Sequence, residues 1–496
     1  PPAPPPGAIP VPPLLALLRL PPEGRGAGGR GAAGMEAGTE AGGAGAAAGP
    51  GEKRGRAGEA RGAAVAAGAA CPWLGTVRRG RLDFDFEKCC SVSLSPDHVY
   101  ACLVCGRYFQ GRGRGTAAHT HSLEAGHHLF MALEGGRVFC LPDGYEVRGE
   151  PALEDVQYNL DPTYSAEAVA ALGPVGSAAA GTSEALDGQV FRPGTVGLNN
   201  LKASDYANVV FQSLNRVRPL RDFFLDKARS SGCSSKVVRR FGEVVRKMWN
   251  PRAFKGQVSP HELMLAIAAE SGGRFAAGAQ ADPTEFLAWL LHTLHRGLAA
   301  RPGAKPRKRT VVTECFQGEL EVETVRTGGI ARHKFFMLAL DLPPSPVFPD
   351  DGEKNILPQV PFLELLLKYD GERAAESIKH GPRRFRLTRL PPFLIFHYQR
   401  FVRNNFFLEK NPTIVTFPVK NLELRGHVPV PEGAESKYDL AASVVHDGEA
   451  GGGQYKVQVR GAEPGVWWEI QDLVVSETLP QMVTLAEAYL QIFERQ

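Results

Sequence analysis

"GLNNLKASDYANVVFQSL" (residues 197–214) decides how the rest of the chain reads. In "SDYANVVFQSL" apolar residues recur at three- and four-residue spacing, which predicts a helix from about Ser204. The stretch has the form of a nucleophile box at a helix start. There the macrodipole lowers the pKa of a thiol, and free backbone N–H groups face the site. Such a box needs a thiol or a hydroxyl, yet the sequence supplies Asp205. The same field stabilises a carboxylate, which attacks an amide poorly. Asp is among the favoured N-caps, worth about 1 kcal/mol. Asp205 is therefore expected to cap the helix.

Around this box the chain reads as one large α+β domain from residue 191 to 496. "SSKVVRRFGEVVRKMW", "SPHELMLAIAAES" and "DPTEFLAWLLHTLHRGL" repeat the helical spacing, each opening on a Ser or Asp in an N-cap position. Strand-like segments follow: "TVVTECFQGELEVETV", "KFFMLALDL", "PPFLIFHYQRF", "YDLAASVVHDG", "YKVQVR" and "WWEIQDLVV". A helical lobe followed by an antiparallel sheet is the layout of a papain-like cysteine hydrolase. In that layout the nucleophile heads a helix and the base comes from the sheet.

The 496 residues are too many for one core, so two or three domains are expected. Residues 1–70 are rich in Gly, Ala, Pro and Arg, too poor in apolar bulk to offset chain entropy, and read as a disordered, mildly basic tail. Aromatics and cysteines enter together at Cys71, opening a compact module over 71–165, and the small-residue stretch 166–190 reads as a linker. "IPVPPLLALLRL" lacks a basic n-region and is not expected to be a signal peptide. No apolar run approaches the roughly 18 residues that would span a bilayer, so no membrane partner is expected. A formal net charge of +4 neither demands nor excludes nucleic acid. "KPRKR" (305–309) and "HGPRRFRLTR" (380–389) are basic but match no nucleic-acid motif. They read as a solvated loop and a strand edge, and direct RNA contact is not expected.

Six of the 8 cysteines lie between residues 71 and 140, which favours a local metal site over a disulfide framework and a reducing compartment, cytosol or nucleus. Cys102 and Cys105 form a C-x2-C knuckle, and His119, His121, His127 and His128 follow. Two of these imidazoles would complete a tetrahedral, structural Zn²⁺ site with no open position. With His121 and His127 the pattern is C-x2-C-x15-H-x5-H.

Residues 71 to about 158 resemble the ubiquitin-binding-protein zinc finger, on "YACLVCGRYFQGRG", His121 and "GHH". The resemblance selects His121 and His127 as partners of Cys102 and Cys105. It also implies that further metal sites of multi-zinc members are broken here: "CPW" puts Trp73 at a ligand position, and "CLPD" puts Asp143 at another. One zinc is expected, with Cys71, Cys90 and Cys140 as buried thiols. Arg112 stands where such fingers hold the ubiquitin C-terminal tail, with Phe139 at the usual tryptophan position.

Residues 191–496 resemble the ubiquitin-specific proteases. Their box Gly-Leu-x-Asn-Leu-Gly-Asn-Thr-Cys-Tyr-x-Asn is matched at Gly197, Leu198, Asn200, Leu201, Tyr206 and Asn208. "GAQADPTEFLAWLL", "CFQGEL", "LPPFLIFHYQRF" and "YDLAASVVHDG" match later boxes in order. The resemblance implies a helical thumb, a β palm and β fingers. It places the catalytic cysteine at Asp205, the oxyanion asparagine at Ala203, the base histidine at Gln454 and its orienting partner at Gln471. Glutamine does not titrate, so no catalytic residue is expected. The fingers lack the usual cysteine pairs, and their tip is expected to be held by packing alone or shortened. A non-catalytic member with one zinc resembles the homologue found in the spliceosomal tri-snRNP. That implies a nuclear protein supporting pre-mRNA splicing. A ubiquitin-binding reader and a deubiquitinase of unorthodox chemistry are the alternative functions.

Overall fold

The computed structural model describes residues 71–173, 181–300, 303, 305–344, 357–375, 381–403, 408–430, 432–461 and 463–496. The tail expected over 1–70 lies outside them. None of the eight cysteines is in a disulfide. No helix among the described residues is long and apolar enough to cross a membrane.

The N-terminal module is an antiparallel sheet. Strands β1 (Val99–Cys102) and β2 (Tyr108–Gln110), helix α1 (Ala117–Ala125), then β3 (Leu129–Ala132), β4 (Val138–Cys140) and β5 (Glu146–Val147) follow in order. The strands lie side by side as β2-β1-β3-β4-β5. Strand alternation sends Ala101, Met131 and Val138 into one core with helix α2 (Glu154–Leu160). It sends Cys102, Phe109 and Phe130 to the other face, against α1. Helix α1 ends at Gly126, whose φ of 66° provides the left-handed turn that reverses the chain. Cys71, Cys90 and Cys140 are all buried.

Helix α3 (Ala166–Ala171), capped by Ser165, leads away from the finger. The helical lobe then runs through β6 (Ser183–Glu184), β7 (Val190–Phe191), β8 (Gly197–Leu198), α4 (Asp205–Leu214), α5 (Arg218–Leu225), α6 (Lys227–Ser231) and α7 (Lys236–Met248). It continues with β9 (Gln257–Val258), α8 (His261–Glu270), α9 (Pro283–Ala299) and α10 (Val311–Phe316). Two expected caps form: Ser235 accepts the Val238 N–H, and Asp282 accepts those of Thr284 and Glu285. The expected cap at Ser259 does not, because α8 begins after Pro260. The Ser259 N–H is instead held by Asp85 of the finger at 3.0 Å.

Residues 310–316, expected to extend a strand, form α10. Thr313 Oγ1 accepts the Thr310 N–H at 2.9 Å, closing the first turn as a capping box. Val312, Cys315 and Phe316 are then buried at three- and four-residue spacing, so local capping and tertiary packing override β-branched propensity.

The rest is β-rich. Strands β10 (Gly318–Thr324), β11 (Gly329–Phe335), β12 (Leu338–Asp341) and β13 (Gln359–Pro361), helix α11 (Phe362–Leu366), then β14 (Asp370–Ala375), β15 (Arg383–Arg389) and β16 (Phe393–Gln399) come first. The hairpin β17 (Phe401–Arg403)–β18 (Leu408–Lys410), β19 (Ile414–Thr416), β20 (Leu422–Glu423), β21 (Lys437–Glu449), β22 (Gly452–Arg460), β23 (Trp467–Gln471), β24 (Val474–Thr478), helix α12 (Pro480–Leu485) and β25 (Ala488–Arg495) complete the chain. The palm sheet has the order β12-β16-β25-β21-β22-β23-β24, and the fingers sheet β11-β10-β15-β14. The basic segment at 383–389, read as a strand edge, is thus an interior strand. Its alternate residues Phe385 and Leu387 bury against the palm, which fixes it there. Helices α4, α7 and α9 pack on the palm around Tyr206, Phe211, Phe241, Phe286 and Tyr455. The architecture is the expected α+β thumb, palm and fingers.

The finger and the helical lobe share a buried charge network. Lys247 on α7 reaches Asp85 at 2.8 Å, Glu243 at 3.3 Å and the Phe84 carbonyl at 3.0 Å. Lys88 and Arg240 also grip Glu243. Burial alone would raise the Glu243 pKa, but Lys247, Lys88 and Arg240 outweigh it and hold the carboxyl well below its usual range. Lys247→Met leaves Asp85 and Glu243 short of their shared cation. A loss of about 3–5 kcal/mol is expected, measured as a lowered midpoint in urea unfolding.

Candidate functional site

The helix box meets the palm at the N-terminus of α4. Asp205 is the first residue of that helix, not its N-cap, which is Ser204. The cap expectation fails because the carboxylate faces the opposing sheet: Asp205 Oδ2 accepts the Tyr455 N–H at 2.8 Å. Oδ1 is buried without a hydrogen-bond partner, as is Gln280 Oε1. Burial raises the Asp205 pKa, and the hydrogen bond from the Tyr455 N–H offsets only part of that rise.

The loop before α4 is tightly wound. Asn200 Oδ1 accepts the Ser204 N–H at 2.9 Å, and Ser204 Oγ accepts the Leu201 N–H at 2.8 Å. Lys202 and Ala203 have φ of 57° and 41°. They stand where the resemblance has Gly and Asn, the two residue types that best tolerate this region. The backbone shape persists although the side chains suited to it are gone.

Gln454 and Gln471 also arrive at this cleft. They lie on neighbouring strands β22 and β23, and Gln471 Nε2 donates to Gln454 Oε1. Asp205, Ala203, Gln454 and Gln471 are therefore brought together, but none combines a nucleophile with a base. His446 and His397 are no substitutes. His446 is 2% exposed, its ring 5.0 Å from those of Phe401 and Tyr455, and burial pulls its pKa down to about 4. His397 is likewise buried, and its pKa falls to about 4. Cys315, the last cysteine of the chain, is buried in the core on α10, where burial pushes its thiol up to about 12.

One carboxylate escaped the sequence reading. Asp472, one residue past Gln471, takes Asn200 Nδ2 at 2.9 Å and Asn208 Nδ2 at 2.8 Å. Its backbone carbonyl accepts the Leu198 N–H at 2.8 Å. It staples the helix box to the β23–β24 turn. No local signal marks it, because its partners lie more than 250 residues upstream.

In the finger, Cys102, Cys105, His121 and His127 form the one cluster among the described residues able to hold a metal. Cys102 Sγ lies 3.5 Å from His127 Nδ1, Cys105 Sγ lies 3.5 Å from His121 Nε2, and the two nitrogens are 3.0 Å apart. Zn–S near 2.3 Å and Zn–N near 2.0–2.1 Å give tetrahedral S···N edges of about 3.5 Å, so the donor set fits zinc. His128 points elsewhere, bonding the Leu141 carbonyl and stacking on Trp73. Cys90 Sγ accepts the Val92 and Ser93 N–H groups at 3.4 Å. Arg112 lies over the Phe139 ring at 4.4 Å.

With this geometry in view, comparison with known proteins is decisive. Residues 196–493 match the family model "Ubiquitin carboxyl-terminal hydrolase", more than half of the chain, and residues 89–152 match "Zn-finger in ubiquitin-hydrolases and other protein". The chain belongs to the ubiquitin carboxyl-terminal hydrolase family. Among members of that family, ubiquitin carboxyl-terminal hydrolase 39 of Homo sapiens is 43% identical over 458 residues, covering 86% of this chain and 80% of the relative. The probable mRNA-splicing protein ubp10 of Schizosaccharomyces pombe is 37% identical over 452 residues, covering 85% and 88%. A solved structure titled "Crystal structure of an essential yeast splicing factor" superposes with a TM-score of 0.72 at 29% identity, covering 86% of this chain and 99% of that one.

Asp205→Ala removes the acceptor of a buried N–H and is expected to cost about 1–3 kcal/mol in urea unfolding. Asp205→Asn keeps that acceptor. Because the folded-state pKa is raised, the Asp205 charge costs stability at neutral pH, and the cost fades as pH falls through that pKa. Asp205→Asn is thus expected to be at least as stable as the parent at pH 7, with its advantage shrinking in acid.

Proposed function

We propose that this chain is a pre-mRNA splicing factor: a hydrolase fold used as a scaffold, docking on the spliceosomal tri-snRNP in the nucleus. The observation that carries the reading is the cleft itself, where an amide-bound carboxylate and a Gln454–Gln471 pair occupy the positions of nucleophile, base and orienter. Amide hydrolysis by this fold needs a nucleophile that a neighbouring base can deprotonate. The splicing names of the relatives, which this chain matches over about 85% of its length, support the assignment. Purified full-length protein is expected to leave di-ubiquitin uncleaved. Depleting it from a splicing extract should lower intron removal, with rescue by both the parent and Asp205→Asn. Turnover of di-ubiquitin that Asp205→Ala abolishes would overturn the reading.

In this proposal Cys102, Cys105, His121 and His127 hold one structural Zn²⁺, which with four protein ligands has no open position for catalysis. Metal analysis is expected to give one zinc per chain. Cys105→Ser should lose it and lower the unfolding temperature of the finger. Two or three zincs per chain would refute the single site.

A second reading, a ubiquitin-tail reader, draws on Arg112 and Phe139. Arg112 stacks on a ring that is itself buried, so the aromatic side of such a pocket is already covered by the protein's own guanidinium. That arrangement favours the scaffold reading.

A further inference from the structure

The basic stretch at 383–389 remains without a role, and its place in the fingers sheet suggests one. On the outer face of that sheet, β10 presents Glu319, Glu321 and Glu323 as an acidic column. In register beside it, β11 contributes Arg332 and Lys334, and β15 contributes Arg384, Arg386 and Arg389. The opposite face carries Leu320, Val322, Phe385 and Leu387 into the core.

Two features set this ladder apart from an ordinary solvated face. First, in two of the three ion pairs the acid lies low and its base stands above it, and in the third the two are nearly level. Side-chain exposures are 22% for Glu321 against 79% for Arg332, and 34% for Glu319 against 51% for Arg389. An approaching molecule meets cations first. Second, the three glutamates are each matched to one arginine, Arg332, Arg384 or Arg389. Lys334 and Arg386, both exposed on the same face, stand in register opposite Glu319 and opposite Glu321 and Asp370, respectively, yet neither forms an ion pair among the described residues. Among the described residues the face carries five cations, Arg332, Lys334, Arg384, Arg386 and Arg389, against four carboxylates, Glu319, Glu321, Glu323 and Asp370, and two of the cations stand outside any ion pair.

We propose that this outer face of the fingers is a docking surface for an acidic, extended peptide segment of a protein partner, with Asp or Glu at alternate positions. The spacing argues for an extended chain. Alternate residues on a strand lie about 6.7 Å apart, so carboxylates at i and i+2 of an extended peptide match Arg384 and Arg386, or Arg332 and Lys334. Charge argues for an anion, and the surroundings argue for protein over RNA. Phe335 and Phe385 point into the core, so the described face offers no ring on which bases stack. The proposal is independent of the splicing assignment, because binding is read on purified protein.

The test uses the full-length protein and a fluorescein-labelled twelve-residue peptide of alternating Asp and Thr, with an Asn/Thr peptide and a twelve-nucleotide RNA alongside. Fluorescence polarisation is expected to detect the acidic peptide, to lose it with added salt, and to detect the Asn/Thr peptide weakly or not at all. Lys334→Gln/Arg386→Gln removes two cations that hold no ion pair, so the unfolding midpoint should stay unchanged while affinity falls about fivefold or more. Arg112→Gln, on the finger, should leave peptide binding unaltered. The proposal is overturned by unchanged affinity in the double variant, by equal binding of the Asn/Thr peptide, by tighter binding of the RNA, or by no detectable binding of the acidic peptide.

Discussion

The contact between Asp205 and the Tyr455 amide is the constraint on which the rest depends. It joins the first turn of α4 to β22 across 250 residues, at the seam between helical lobe and palm. In a hydrolase of this fold that seam must stay open to solvent and substrate, with a reactive atom at the helix start. Here the same position carries a buried carboxylate committed to a backbone donor. The carboxylate acts as a strut, and Asp472 doubles it by holding Asn200 and Asn208 from the other side.

Much of this was legible in the sequence, for physical reasons. The helices announced themselves by spacing, and Ser235 and Asp282 by their capping chemistry. The C-x2-C knuckle and its histidines could be read because tetrahedral coordination restricts spacing tightly. The sequence locates Asp205 at the helix start but misjudges its role, because helix-capping preference is local, whereas its actual partner is a strand more than two hundred residues away. The α10 segment misled for the opposite reason, since valines and threonines favour strands until a cap and a buried face decide otherwise. Asp472 and Lys247 carry no local signal at all.

Lys247 illustrates how tertiary context assigns weight. In the sequence it is one base in an amphipathic basic helix. In the structure it is the shared cation of Asp85 and Glu243, almost wholly removed from water, and so ties the segment leading into the finger to the helical lobe. A buried charge of this kind is a costly way to gain stability, but its loss is costlier still, because its partners cannot be resolvated without separating the modules.

The fingers make the same point about substitution of one constraint by another. Without the cysteine pairs, the tip was expected to be held by packing alone or shortened. The described strands are also joined by cross-strand ion pairs, Glu319–Arg389, Glu321–Arg332 and Glu323–Arg384. Exposed pairs contribute little individually, about 0–1 kcal/mol, so stability by itself is a weak reason for so many arginines on one face. A surface that uses three of them in cross-strand pairs and leaves Lys334 and Arg386 outside any ion pair among the described residues is better explained by what it meets. The outer face of the fingers sets residues that join its strands beside cations that stand outside any ion pair among the described residues.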